Sequence, residues 1–301
     1  GWKSRRTDAL LKTFADVGPD ALIVETFPFG RRKFRFELAP LLDLATRTRP
    51  RPLIASSVRD ILVAKTDPGK VAEMAAMARR WFDLVLVHGD PALIRFEASF
   101  PLADRIADLI RYTGYVSPPR ATAAAPDGVG AVIVSVGGGA VGEALLRAAV
   151  AARPATVLAD VPWRLLAGPD LPHPVFDDLR RMAPAGVVVE PARPDFAGLL
   201  ARCRLSISQA GYNTVIDVLA AGCPAVLVPF AAGGETEQRD RAALLAARGL
   251  AQVVDEATLS PASLAAAVDG AIRLPRRAPA IRLDGAETTA RLVLEAARRD
   301  R

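Results

Sequence analysis

The sequence predicts an α/β protein made of two doubly wound, Rossmann-like domains. Short apolar runs alternate with longer helical patterns over most of the 301 residues. Most of the runs are continuous rather than alternating, the pattern of parallel strands covered on both faces. A stretch at 116–130, VSPPRATAAAPDGVG, carries three prolines and neither period, so it reads as a linker. Strand–helix alternation on either side of such a break argues for two parallel sheets with helices on both faces. The division puts 1–116 in a first domain and 117–301 in a second, with ligands expected beyond the carboxyl ends of the strands.

An amphipathic helix with Leu10, Leu11 and Phe14 on one face opens the chain. Strands are expected at 21–24, 52–55 and 84–87 in the first domain, and at 131–136, 156–159, 187–189, 205–208 and 225–228 in the second. Helices are expected at 71–81, 102–111, 143–152, 214–221 and 239–248. A closing helix at 287–298 follows a second compositional break at 274–279. Residues 27–36 read as a loop and a helix start with phenylalanines turned inward.

Composition narrows the function. The chain is 51% hydrophobic and 24% charged, which fits a folded protein and excludes a disordered or collagen-like one. A net charge of +6 is only mildly basic and aromatics are 6%, so no nucleic-acid partner is expected. Two cysteines, Cys203 and Cys223, and two histidines exclude a disulfide framework and a Cys/His zinc site, and point to a reducing, cytoplasmic setting. The richest apolar stretch, 218–232, is broken by Gly222, Pro224 and Pro229 and is too short to span a bilayer. No signal peptide is visible. The chain starts without methionine and runs straight into a helix, as if entered partway through a domain.

The sharpest motif is SVGGGAVG at 135–142, directly after a strand and before a helix. Glycines there let backbone N–H groups face an anion at the positive end of the helix. Gly137, Gly139 and Gly142 also satisfy GxGxxG, and Asp160 falls at the end of the next expected strand. An NAD(P)-dependent oxidoreductase is therefore an alternative, beside a ligand-free tight turn. A second polar helix start, SISQAGYNT at 206–214, offers Asn213 or Thr214 as caps. Asp217, expected in that helix's first turn, suits either a ribose or the helix dipole. A third, GGETEQ at 233–238, holds polar groups after a glycine pair. Three such starts after successive strands describe a pocket for a phosphorylated, hydroxyl-rich ligand.

In the first domain, His88 at a strand end is a candidate base for a hydroxyl proton, or a structural histidine. Glu25, at the end of the 21–24 strand, is its rival. Arg59 with Asp60 suits an anionic acceptor or a buried ion pair. His173 reads as surface. The interleaved aromatic and basic residues of FPFGRRKFRF, 27–36, would suit an anionic membrane surface as well as an ordinary loop.

The blocks VSVGGGAVGEAL (134–145), LSISQAGYNTVIDVLAAGCPAVLVPF (205–230) and GGETEQRDRAALLAARGLAQVV (233–254) resemble the GT-B glycosyltransferases, in particular those with a family-28 C-terminal domain, which include the peptidoglycan N-acetylglucosaminyltransferases. IVETFPFGRR (23–32), SVRDIL (57–62) and VHGDPALI (87–94) resemble a bacterial branch of predicted glycosyltransferases. The resemblance implies a hexosyltransferase that moves a sugar from a nucleotide diphosphate sugar, UDP-linked, to an acceptor hydroxyl. The reaction would be inverting, with no metal and no cofactor beyond the donor as co-substrate.

On the same resemblance, Gly137, Gly138 and Gly139 contact the donor diphosphate. Ser208, Gly211, Tyr212, Asn213 and Thr214 form the loop beside the pyrophosphate and sugar. Asp217 holds the ribose, and Glu237 and Gln238 hold the donor sugar with Glu235 nearby. Arg59, from the residue reading, is placed on the acceptor side; the acceptor stays open, with a lipid-linked one at the inner membrane face among the candidates. Two departures stand out: Ala210 where the bacterial branch has glycine, and nothing before residue 21 that reads as the family's first strand and glycine-rich loop. A first domain without that strand leaves a second alternative, a nucleotide-sugar-binding protein without turnover.

Overall fold

The computed structural model describes residues 1–63, 67–117, 128–137, 142–230, 236–276 and 279–299. The chain divides into two compact units, Gly1–Ser117 with Ile281–Arg301, and Pro118–Ala280.

The first unit runs α1 (Trp2–Val17), β1 (Ala21–Glu25), α2 (Arg35–Arg47), β2 (Leu53–Arg59), α3 (Pro68–Trp81), β3 (Leu84–His88) and β4 (Ile110–Tyr112). Its four strands lie in the order β1-β2-β3-β4, all parallel. Alternation sorts the side chains. Val24 and Ile54 face a core shared with Phe14, Leu42 and Trp81 of the helices, while Leu53, Ala55, Leu84 and Leu86 face the other side. The α3 start is fixed locally: Asp67 accepts from Gly69 N–H and Lys70 N–H, and Pro68 stands at the first helical position.

The second unit runs β5 (Val132–Ser135), α4 (Glu143–Ala152), β6 (Trp163–Ala167), α5 (His173–Met182), β7 (Val187–Pro191), α6 (Phe196–Arg202), β8 (Leu205–Ser208), α7 (Tyr212–Ala221), β9 (Ala225–Leu227), α8 (Glu237–Ala247), β10 (Gln252–Val253) and α9 (Pro261–Ala271). The six-stranded parallel sheet has the order β10-β9-β8-β5-β6-β7. Its first strand is central, and the chain winds outward one way and then the other, so β5 and β8 flank the switch point of a doubly wound fold.

Two expected elements are replaced. Residues 156–159 form a turn instead of a strand: Thr156 Oγ1 accepts from Leu158 N–H at 3.2 Å, and Val157 N–H donates to Asp269 at 2.9 Å. These bonds satisfy backbone groups that a ladder would have used, and the strand comes later, at Trp163. Residues 102–111 are not a helix. Ala103–Ile106 make a single 3-10 turn, Ala103 and Ile106 reach the core, and the chain then extends to pair with β3.

The last helix, α10 (Gly285–Arg299), returns to the first unit. Leu292, Val293, Ala296 and Ala297 pack on Leu53, Ala55, Leu84 and Leu86. Tyr115 N–H donates to Arg282 O at 2.8 Å, and Gly285 N–H to Tyr115 O at 3.1 Å. The sequence division, which runs the second domain to 301, assigns this helix to the wrong side: its apolar stripe matches the first sheet. No described helix is long and apolar enough to cross a membrane.

Candidate functional site

The switch point of the second sheet gathers the glycine motif and the second polar helix start. Beyond β5 the chain turns at Gly137, whose φ of +67° lies in the left-handed region that favours glycine. Gln209 N–H, beyond β8, donates to Ser135 O at 3.3 Å, joining the two strand ends. Gly142 caps α4 and lies so close to β5 that a Cβ would stand 2.3 Å from Val136 Cβ. Gly211 starts α7 and Thr236 starts α8, the helices after β8 and β9. Among the described residues, none of these three helix starts has a side-chain cap, and all lie at the carboxyl ends of one parallel sheet. The first-turn N–H groups of a helix and the positive end of its dipole favour an anion, and three such starts lie there. The Ser208 hydroxyl, fully buried at the end of β8, has no hydrogen-bond partner among the described residues.

Arg241 braces the second and third helix starts. It is buried, lies 5.6 Å from the Tyr212 ring, and donates to Ala210 O at 3.2 Å and to Glu237 Oε1 at 2.8 Å. Gln238 Oε1 accepts from Phe230 N–H at 3.1 Å. Glu237 and Gln238 thus tie the start of α8 to neighbouring backbone and side chain. Gly138, Gly139 and Glu235 lie outside the described residues.

Helix α7 starts two residues earlier than the sequence suggests. Asn213 and Thr214 are therefore inside its first turn rather than capping it, and Asp217 is in the second turn. The spacing keeps Asn213, Thr214 and Asp217 on one helix face. Asp160 is displaced outright. It precedes β6 instead of ending the strand after β5, so it lies at the amino end of the sheet, opposite Gly137. That separation removes the carboxylate on which the NAD(P) reading depended.

Sequence reasoning missed a cavity of about 400 Å³ at the carboxyl ends of β6 and β7. Gly168, Leu171, Phe176 and Ala192 give it a mostly apolar lining, and His173, exposed as expected, stands at its wall as the first residue of α5 and not in a loop. With β6 expected at 156–159, Gly168-Pro169 could not be read as a strand-end turn.

In the first unit, the candidate residues meet at the carboxyl ends of β1, β2 and β3. His88 Nε2 is 2.7 Å from Ser57 Oγ, and its Nδ1 is 2.9 Å from Thr113 Oγ1. Burial pushes its pKa below the ordinary 6.5, favouring the neutral ring. Glu25 is the register partner of Ser57 and pairs with Arg31 at 2.8 Å, both exposed. Arg59, exposed, is the register partner of His88. Asp60 is buried and accepts from Ile61 N–H at 2.9 Å and from the Tyr115 hydroxyl at 3.3 Å. Ser57 and Thr113 were not singled out by sequence; only the SVRDIL block pointed near Ser57.

The 27–36 stretch divides. Phe27 and Phe29 are core residues, as expected, but Phe34 and Phe36 stay half-buried. Exposed Trp2 meets Phe36 edge-on at 5.7 Å, Lys3 lies 5.2 Å from the Phe36 ring, and Arg6 and Lys33 flank Phe34 at 5.7 and 5.2 Å. Among the described residues, no group of three or more His, Cys, Asp or Glu side chains could hold a metal ion.

The model of the glycosyltransferase family 28 C-terminal domain matches residues 133–287, just over half of the chain. The chain belongs to this family. The match takes in β5, the Gly137 turn, the apolar cavity and the α7 and α8 starts. Among relatives of this family-28 chain, the UDP-N-acetylglucosamine–N-acetylmuramyl-(pentapeptide) pyrophosphoryl-undecaprenol N-acetylglucosamine transferase of Mesorhizobium japonicum is 38% identical over 111 residues. That alignment covers 35% of this chain and 30% of the transferase. The Rhizobium johnstonii enzyme of the same name is 36% identical over 114 residues, 36% of this chain and 30% of its own. These matches span less than a third of the relatives' length.

Solved structures extend the likeness of fold to both units. CalG4, the calicheamicin glycosyltransferase, superposes with a TM-score of 0.64 at 18% identity, covering 97% of this chain and 76% of that one. Acinetobacter baumannii MurG gives 0.58 at 19% identity, covering 97% and 74%. The family-28 chain therefore has the GT-B glycosyltransferase fold.

Proposed function

We propose that the protein is a hexosyltransferase that moves a sugar from a UDP-linked donor to an acceptor hydroxyl, with inversion and without a bound metal. The observation that carries this reading is the set of three uncapped helix starts at the carboxyl ends of one sheet. As the bond to the sugar breaks, negative charge builds on the leaving diphosphate. Preorganised N–H groups and helix dipoles at the starts marked by Gly142, Gly211 and Thr236 would stabilise it where a cation otherwise would. In this proposal the cavity beside Gly168 and Ala192 takes the base, Asp217 the ribose, and Glu237 and Gln238 the sugar hydroxyls. Family membership and the names of the relatives support a UDP-sugar donor.

The first unit would bind the acceptor near His88, Glu25 and Arg59. A lipid-linked acceptor at the inner membrane face is proposed from the undecaprenol in the relatives' names, and the Trp2, Phe34 and Phe36 cluster with its cations would rest on anionic lipid. Vesicles rich in phosphatidylglycerol should sediment the protein, and Trp2→Ala with Phe34→Ala should lower the bound fraction at least threefold. Equal binding by the double variant would end that part of the proposal.

The donor reading is tested by heat. UDP should raise the melting temperature by mass action, with GDP, dTDP and NAD giving less. Asp217→Ala should abolish the UDP shift while leaving the unliganded melting point nearly unchanged. A shift with NAD alone would refute the proposal; UDP binding without transfer or hydrolysis would favour a binding protein.

A further inference from the structure

The hydroxyls around His88 fix where its protons are. Thr113 Oγ1 lies 2.8 Å from Gly114 O and 3.3 Å from Val87 O. Carbonyl oxygens only accept, so the single Thr113 hydrogen is spent on them. Its oxygen can then face His88 Nδ1 at 2.9 Å only as an acceptor, which puts the ring hydrogen on Nδ1. With the ring neutral, the form its burial favours, Nε2 carries a lone pair and Ser57 Oγ, 2.7 Å away, donates to it.

The arrangement leaves Ser57 with a distinctive polarity. Its one hydrogen points at His88, so its oxygen offers only lone pairs to anything else. Both ring nitrogens of His88 are already engaged, which bars a direct approach to the imidazole. Ser57 is half-buried, at the carboxyl end of β2, and its register partner Glu25 projects from the same face of the sheet.

We infer that Ser57 touches the acceptor hydroxyl and hands its proton to His88, the base that lies behind it. The acceptor O–H breaks as its hydrogen passes to Ser57 Oγ, and the former Ser57 hydrogen forms the N–H bond at His88 Nε2. The freed acceptor oxygen bonds to the sugar carbon, and the bond from that carbon to the diphosphate breaks with its electron pair leaving on the phosphate. This rests on the transferase reading above. The charged groups around the pair are Glu25 at the end of β1 with Arg31 beyond it, Arg59 at the end of β2 with Asp60 just after it, and Asp90 beyond β3, which accepts from Arg282 N–H at 3.1 Å. Arg282 itself pairs with Asp284 before α10.

Ring nitrogen-15 NMR tests the pair without any substrate, because His88 and His173 are the only histidines. With His173→Gln to assign the signals, His88 should be the neutral Nδ1–H form, and an Nε2–H form would overturn the inference. Turnover is then followed as UDP release from UDP-N-acetylglucosamine with water as acceptor, from pH 5 to 9. Ser57→Ala should slow release roughly 100-fold without changing KM, and should erase the fall in rate on the acid side. Ser57→Thr should restore most of it. An unchanged rate and acid limb in Ser57→Ala would overturn the relay, as would an unsubstituted chain that UDP protects from heat but that releases none. UDP protection, measured in each variant, reports the donor reading separately.

Discussion

The two sheets present their carboxyl ends in different materials. In the second unit the surroundings of the switch point are largely backbone: a left-handed glycine, a glycine packed against Val136, and three helix starts without side-chain caps. In the first unit the same position is built from side chains, Ser57, His88, Thr113, Asp60 and Tyr115, each holding another. A backbone site suits a ligand whose charge is invariant, such as a diphosphate. A side-chain site can move a proton. The contrast predicts that the second unit is sensitive to added bulk and the first to lost polarity.

Gly142→Ala should give the largest loss. Its Cβ would fall 2.3 Å from Val136 Cβ, and overpacking of that kind costs about 3 kcal/mol, read as a lower urea midpoint with UDP binding lost. Gly137→Ala should be milder, about 1 kcal/mol from the left-handed backbone, since among the described residues the nearest atom to its Cβ is Gln209 Oε1, 3.9 Å away. Equal costs at the two glycines would contradict the close packing of α4 on β5. The smallest effect belongs to the first unit. Burial holds the folded His88 pKa below 6.5, so the unfolded chain binds its proton first as pH falls. The stability this histidine allows is present above about pH 6.5 and is lost progressively below it. His88→Gln should flatten the decline between pH 7.5 and 5.5 in urea titrations; an unaltered decline would remove His88 as its source.

The same contrast explains what the sequence disclosed. Backbone sites need glycine and small polar residues at fixed offsets from a strand, so Gly137, Gly142 and Gly211 were readable from local order. The Ser57–His88–Thr113 chain joins residues 31 and 25 positions apart, and nothing local announces it. Elements were lost where local chemistry misleads. The 27–36 stretch does run from a loop into a helix start, but Pro40 inside α2 hid how far that helix continues. At 156–159 the β-branched Thr156 and Val157 suggested a strand, but side-chain bonds to the local backbone made it a turn and carried Asp160 with it. The pairing of α10 with the first sheet was hidden because an apolar helical stripe does not name its partner.

The return of α10 makes the second unit an insertion within the first, since the polypeptide leaves near Ser117 and comes back at Ile281. A cut at either crossing therefore severs the first unit from part of its own fold. Trimming the last twenty residues would uncover Leu53, Ala55, Leu84 and Leu86, so a lesion at the carboxyl terminus would express itself as aggregation of the amino-terminal sheet.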